Sequence, residues 1–323
     1  GMEYPTLITT GAAGIMAAPP LSWLAWIESV TAHEFAHQYF QGLVATNEAE
    51  EPWLDEGFAQ YCEILVVGAM GEAGLIPWRA GLGWTLGRWE QASRALPLRL
   101  DRAAWEYRTR SDYGDASYTQ AALTLRTLDG LLGRDVMARA LRSYVERFRF
   151  SHPSARDLQR VLEEVSGQEL GWFFDQVVFG DATPDWAVVR AGSRRPAPRR
   201  GLSWSDGEWR EGGSPAADDG PERAEIHLAR LGDLEGPVVV EARFAGGDVE
   251  RWTWDGDERW VRWRPDTTGR LEQVVVDPDG VWALETSRAD NYWRHRPAEV
   301  PRRPLWWLDG ALQLIASAVL SWS

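Results

Sequence analysis

Apolar residues recur along the first part of the chain at the three-to-four-residue spacing of helices, and later at the alternate spacing of strands. A short β-like opening, Tyr4–Thr10, leads through small residues to Pro19-Pro20. Ser22 can then cap a helix carrying Trp23, Leu24, Ile27, Val30 and Phe35 and ending near Gly42. After a polar loop around Thr46–Glu51, Pro52 sits where proline is tolerated at a helix start, and Trp53–Val67 reads as a second helix. Helical spacing continues from Ile76 to Val178, punctuated at Gly130, Gly133, Pro153 and Gly167. Within it Ser151–Asp157 is a helix entry, and Leu158, Val161, Leu162 and Val165 form one stripe.

The pattern changes near Arg190. Residues 191–223 are rich in Gly, Ser, Pro, Arg and Asp, which predicts a linker or long loop. Beyond it come strand-like runs: Ala224–Ala229, Val238–Phe244, Glu250–Trp254, Trp260–Trp263 and Gln273–Val276. Turn residues such as Gly246-Gly247 and Asp255-Gly256 separate them, so a small antiparallel β-domain is expected. Trp252, Trp254, Trp260 and Trp263 are either one face of a packed sheet or an aromatic platform for carbohydrate. The expected organisation is α+β: a mostly helical domain over 1–190, a linker over 191–223, a β-domain over 224–290 and a tail over 291–323.

Composition narrows the function classes. With 44% hydrophobic and 25% charged residues the chain has ample material for a core. A single cysteine, Cys62, excludes an intrachain disulfide framework or a Cys-rich zinc module. Positive charge is all arginine, and the net charge of -14 argues against nucleic acid as a partner. Residues 1–20 lack a basic segment followed by an apolar one, so no secretory signal is expected, and the compartment stays open. Leu305–Ser323 is nearly continuous in apolar residues, apart from Asp309 and Gln313, and follows Arg294, Arg296, Arg302 and Arg303. Its length approaches the ~20 residues of a bilayer span, but an aspartate inside lipid costs roughly 2.5–3.5 kcal/mol. A docked or interfacial helix and a membrane-associated span therefore both stay open.

Chemistry enters at His33-Glu34-Phe35-Ala36-His37. Positions i and i+4 share one helix face, so the two imidazoles can meet at one point, with a glutamate beside them. Two imidazole nitrogens suit zinc, and the glutamate can act as a base toward water. The segment Trp53-Leu54-Asp55-Glu56-Gly57-Phe58-Ala59 supplies a third ligand: Glu56, at the start of a neighbouring helix, completes a His₂Glu set.

These segments resemble the membrane alanyl aminopeptidase-like family of gluzincin zinc peptidases. Val30–Glu63 is similar to that family almost continuously. The resemblance implies a thermolysin-like zinc peptidase domain followed by a small β-sandwich-like domain. It also implies one Zn²⁺ held by His33, His37 and Glu56, with Glu34 as general base. Gly1-Met2-Glu3-Tyr4 resembles the last four positions of the family's exopeptidase motif, which makes Glu3 the candidate anchor for a substrate's free α-amine, flanked by Gly1 and Met2. Tyr4 replaces the usual Asn. Ser117-Tyr118-Thr119-Gln120 resembles the segment carrying the tyrosine that stabilises the oxyanion, with Gln120-Ala121 in place of Lys-Gly. Tyr118 is the candidate and Tyr113 its rival. Gly167–Val178 resembles the end of the family's catalytic domain, and the family's N-terminal β-domain is expected to be missing ahead of Gly1. The implied function is a zinc aminopeptidase acting on peptides with a free N-terminus. An endopeptidase, an epoxide-hydrolysing relative and a non-catalytic scaffold are the alternatives.

Overall fold

In the helical part, the site depends on one helix whose first half is almost wholly buried. The computed structural model describes residues 1–11, 25–76, 98–195, 200–213 and 221–295. Helix α1 (Trp26–Ala36) packs along α2 (Trp53–Glu72). Two-sided burial of α2 sets it apart: Trp53, Leu54, Asp55, Gly57, Phe58, Ala59, Gln60, Tyr61 and Glu63 are all buried. An amphipathic surface helix would bury one stripe; this one is a core element, and its polar residues must find partners inside. Phe40 stacks on Phe58 with ring centroids 4.3 Å apart, and Tyr144 covers the other side of Phe58 at 5.9 Å.

Helix α3 (Arg110–Gly114) runs through a π-helical turn, Asp115–Gln120, into α4 (Ala121–Leu132). Helices α5 (Arg134–Phe148) and α6 (Ala155–Ser166) complete the helical layer. The Ser154 amide donates to the Asp157 carboxylate at 2.8 Å, so the helix entry expected around Ser151–Asp157 is present. Gly57 is where α2 meets the π-helical turn. A Cβ there would lie 2.5 Å from Ala121 Cβ, so only glycine allows this approach.

Nine strands are described. β1 (Trp186–Arg194), β4 (Arg223–Arg230) and β7 (Trp260–Trp263) form an antiparallel sheet in the order β1-β4-β7. β5 (Val238–Phe244), β6 (Val249–Trp254), β8 (Leu271–Val276) and β9 (Tyr292–Arg294) form a second, in the order β6-β5-β8-β9. Every expected strand run lies in one of these. Both sheets feed one hydrophobic core with the helices, and Trp282 joins the parts: its ring lies 5.1 Å from Trp186 and 6.3 Å from Phe173.

Several local expectations change. Tyr4–Thr10 is not a strand but a tight turn closed by a Met2–Thr9 bridge; Pro5 has no N–H to donate and Thr6 takes φ 65°. Helix α1 ends at Ala36 rather than Gly42: the Gln38 and Tyr39 amides donate three residues back, to Phe35 and Ala36, and the chain then turns at Gln41, φ 103°. Within 191–223, β1 continues to Arg194, and β2 (Arg200–Ser205) pairs with β3 (Glu208–Gly213). The hairpin turn is Asp206-Gly207, with φ 57° and 82°, the left-handed pair that closes two-residue hairpins. Trp254 and Trp263 are buried and Trp252 stacks on Trp263 at 5.6 Å, so the four tryptophans form no single exposed row; Trp260 alone of them is largely exposed. Among the described residues no helix is long and apolar enough to cross a membrane. Ser22 and Leu305–Ser323 lie outside the described residues.

Replacing Gly57 by alanine adds a methyl where no space exists. Helix propensity favours alanine by up to ~1 kcal/mol, whereas overpacking costs roughly 1–3 kcal/mol, so net destabilisation is expected. A guanidinium unfolding curve would show it as a lower midpoint. An unchanged or higher midpoint would mean that Ala121 moves aside freely.

Candidate metal centre

Burial makes the α1–α2 contact unusual, because its centre is polar. His33, Glu34 and His37 lie on α1 and its first following residue, and all three are buried. Facing them, α2 contributes Asp55, Glu56 and Glu63. His33 Nε2 lies 3.2 Å from His37 Nε2 and 3.2 Å from Glu56 Oε2, and His37 Nε2 lies 3.4 Å from the same oxygen. The three donors form a nearly equilateral triangle. Ligands held at ~2.0–2.1 Å around a tetrahedral ion are separated by roughly 3.3–3.4 Å, so this triangle is one face of a zinc-sized tetrahedron.

The other imidazole nitrogens face carboxylates. His37 Nδ1 lies 2.6 Å from Asp55 Oδ1, and His33 Nδ1 lies 3.3 Å from Glu63 Oε2. Each Nδ1–H can donate to a carboxylate, and each Nε2 is turned to the centre. Two imidazole nitrogens and a carboxylate oxygen then converge on one point, an arrangement that a proton or a metal cation can bridge. Electrostatics draw positive charge to that point. Burial opposes charge on His37, yet Asp55 and Glu56 outweigh it and push the imidazole up to about 10. For Glu56 burial works against ionisation, but hydrogen bonds from His33, His37 and Tyr118 bring it down to about 2.

Tyr118 comes from the π-helical turn, a widened turn that swings its side chain toward α2. Its hydroxyl donates to Glu56 Oε1, and its ring lies nearly parallel to His33, 8° between planes and 5.8 Å between centroids. Tyr113 sits behind, its ring edge-on at 6.3 Å from Tyr118. Glu34 Oε2 is buried with no hydrogen-bond partner among the described residues, and Oε1 lies 3.4 Å from the Gly1 amine. A Glu3 carboxylate oxygen lies within 4.8 Å of ligand atoms of Glu34 and His37. Met2 is held by its bridge to Thr9 on the exposed turn. His33, His37, Glu56 and Tyr118 thus share one centre, Glu34, Gly1 and Glu3 stand beside it, and Met2 lies on the exposed turn.

Sequence reasoning missed the supporting carboxylates. Asp55 stands beside Glu56 in the same segment and Glu63 follows Glu56 by two helical turns, but helix geometry alone does not say that these acidic residues are buried. Ser29, which donates to Glu63 Oε1, and Gln60, which donates to Oε2, carry no signal of their own.

Residues 1–177, more than half of the chain, match the peptidase family M1 domain. The chain belongs to peptidase family M1. Aminopeptidase M1-B of Oryza sativa subsp. japonica is 35% identical over 147 residues, covering 42% of this chain and 16% of that protein. Aminopeptidase N of Haemonchus contortus is 31% identical over 144 residues, covering 43% of this chain and 14% of that protein. The chain therefore matches only a small part of each relative's length. Among solved structures, aminopeptidase A of Legionella pneumophila is similar in fold, with TM-score 0.54 and 13% identity over 81% of this chain and 27% of that one. The M1 family implies a zinc ion as cofactor, and the donor triangle with its two Nδ1-bound carboxylates fits that ion.

Asp55→Asn keeps the shape but weakens the acceptor that orients His37. Competition with a chelator should show zinc held about 10–100-fold more weakly. Unchanged affinity would mean that packing alone positions the imidazole.

Proposed function

We propose that the chain carries the catalytic part of a zinc-dependent aminopeptidase that removes N-terminal residues from peptides. The observation that supports this best is the placement of three carboxylates around the donor triangle. Glu56 joins the donors, Glu34 stands beside them with an unpartnered oxygen, and Glu3 approaches from the other chain segment. In this reading residues 1–190 form a thermolysin-like catalytic domain, 191–223 a connecting segment, 224–290 a β-sandwich-like domain and 291–323 a tail.

His33, His37 and Glu56 would hold the ion. Bound there, zinc supplies Lewis acidity, which polarises a carbonyl and makes water a competent nucleophile near neutral pH. Glu34 does the proton work: its free, buried oxygen takes a proton from the attacking water and returns it to the leaving amine. Tyr118, now donating to Glu56, would turn its hydroxyl to the developing oxyanion, where a donor contributes most. Glu3 would pair with the substrate's α-ammonium and so fix the register at one residue from the end. Peptides with a free N-terminus are the substrates this arrangement favours.

Glu34→Gln should lower kcat on aminoacyl arylamides about 10²–10⁴-fold while the protein still binds zinc. Near-normal turnover by that variant would remove Glu34 from the mechanism. Tyr118→Phe should lower kcat by roughly 10²–10³-fold with little change in KM. N-acetylation of the substrate should abolish hydrolysis. Cleavage of acetylated peptides at internal bonds would instead identify an endopeptidase.

A further inference from the structure

The π-helical turn that carries Tyr118 is closed at its far end by a side chain that acts like a strand partner. At the end of this turn the Ala121 amide reaches the Ala116 carbonyl, five residues back instead of four. Gln120 is the last residue of the turn. Its Nε2 donates to the Leu98 carbonyl at 2.6 Å, and its Oε1 accepts from the Leu98 amide at 3.3 Å. One primary amide thus answers both main-chain groups of one residue, a pairing that needs a donor and an acceptor side by side. Where the similar segment of the family has lysine, an ammonium offers donors only and leaves the Leu98 amide unanswered.

Leu98 is itself held. Leu100, two residues on, is fully buried, and the Leu100 and Asp101 amides both donate to the Val178 carbonyl, at 3.1 and 3.3 Å. Val178 ends a second π-helical turn, Phe174–Val178, whose Phe174, Val177 and Val178 belong to the core. The Leu98–Asp101 segment is therefore fixed to the core, and Gln120 ties the first turn to it.

We propose that Gln120 is a positioning residue for the reaction: its paired hydrogen bonds to Leu98 hold the turn in its π form and so aim the Tyr118 hydroxyl at the metal centre. The role given to Tyr118 rests on the aminopeptidase reading. A π turn holds one residue more than an α turn, and shedding it rotates the residues before it by as much as ~100° about the helix axis. Such a rotation takes the Tyr118 hydroxyl away from Glu56, to which it donates, and its ring off His33. The rare π form persists where its surroundings hold it. Gly57 sets how near the turn comes to α2, and Gln120 sets how the turn is rotated.

The test measures Gln120→Ala with and without the Tyr118 hydroxyl. In the zinc-loaded chain Gln120→Ala should lower kcat on an aminoacyl arylamide about tenfold with KM within about twofold, because the aim of one group is lost and ground-state binding is not. A phosphinic dipeptide, whose tetrahedral phosphorus carries the oxygen anion that Tyr118 would meet, should bind about tenfold more weakly by calorimetry. In a Tyr118→Phe background both losses should vanish, since a residue acting through a hydroxyl then has nothing to act on. Gln120→Lys, which keeps a donor toward the Leu98 carbonyl, should lose less than alanine in both measurements, and it takes alanine's place in the cycle if alanine impairs folding. Equal losses with and without the Tyr118 hydroxyl, or no loss in either background, overturn the positioning role and leave the aminopeptidase reading standing. Normal turnover and normal phosphinate binding by Tyr118→Phe itself overturn the role of Tyr118, and this proposal with it.

Discussion

Everything at the site depends on the imidazole–carboxylate network buried between α1 and α2. Two histidines and three carboxylates are taken from water there, and burial of that much polarity is tolerated only when each group has a partner. The geometry solves this by dividing each imidazole. Nδ1 of His37 faces Asp55 and Nδ1 of His33 faces Glu63, while both Nε2 atoms turn to Glu56. The outward contacts are satisfied within the protein. The inward ones crowd two imidazole nitrogens against one carboxylate oxygen, and that crowding is what gives the cluster its appetite for a cation.

The packing around the network keeps it in register. Ser29 and Gln60 hold Glu63 from two sides, and Trp53, Phe58 and Tyr61 fill the space beside them. Because α2 is buried on nearly all sides, its carboxylates cannot relax toward solvent when the centre is disturbed. Gly57 adds a second constraint, since the close approach of Ala121 sets how near the π-helical turn comes, and that turn carries Tyr118. The position of the tyrosine hydroxyl is therefore determined by a missing methyl group one residue after Glu56.

Legibility in the sequence followed the range of the interactions. His33 and His37 were readable because helical spacing alone puts them on one face, Glu34 because it lies between them, and Glu56 because it opens the next helix at a fixed remove. The strands of both sheets were readable where alternation was strong, as in β4, whose Ala224, Ile226 and Leu228 are buried in turn. The hairpin β2–β3 was hidden by its composition: Gly, Ser and Arg suggested a loop, although Trp204 and Trp209 face each other across an Asp-Gly turn. Asp55 and Glu63 were passed over for a different reason. Acidic residues on a helix ordinarily face solvent, and only the all-round burial of α2 turns them into partners for the histidines. That burial comes from α1, α4 and the π-helical turn together, a tertiary fact that no local pattern contains.

The end of α1 shows how such a site is bounded. His37 is the residue at which the helix stops, and the chain must then reverse within a few residues to lead back toward α2. It does so through Gln41, at φ 103°, with Phe40 bridged to Val44 and stacked on Phe58 at 4.3 Å. Strain at one position costs on the order of 1–3 kcal/mol, and burial of Phe40 and Val44 can offset it, each large apolar side chain being worth about 1.5–3 kcal/mol. A longer α1 would have no strain, but it would carry Phe40 away from Phe58. The strained turn is thus the cost of ending the helix directly after its second histidine.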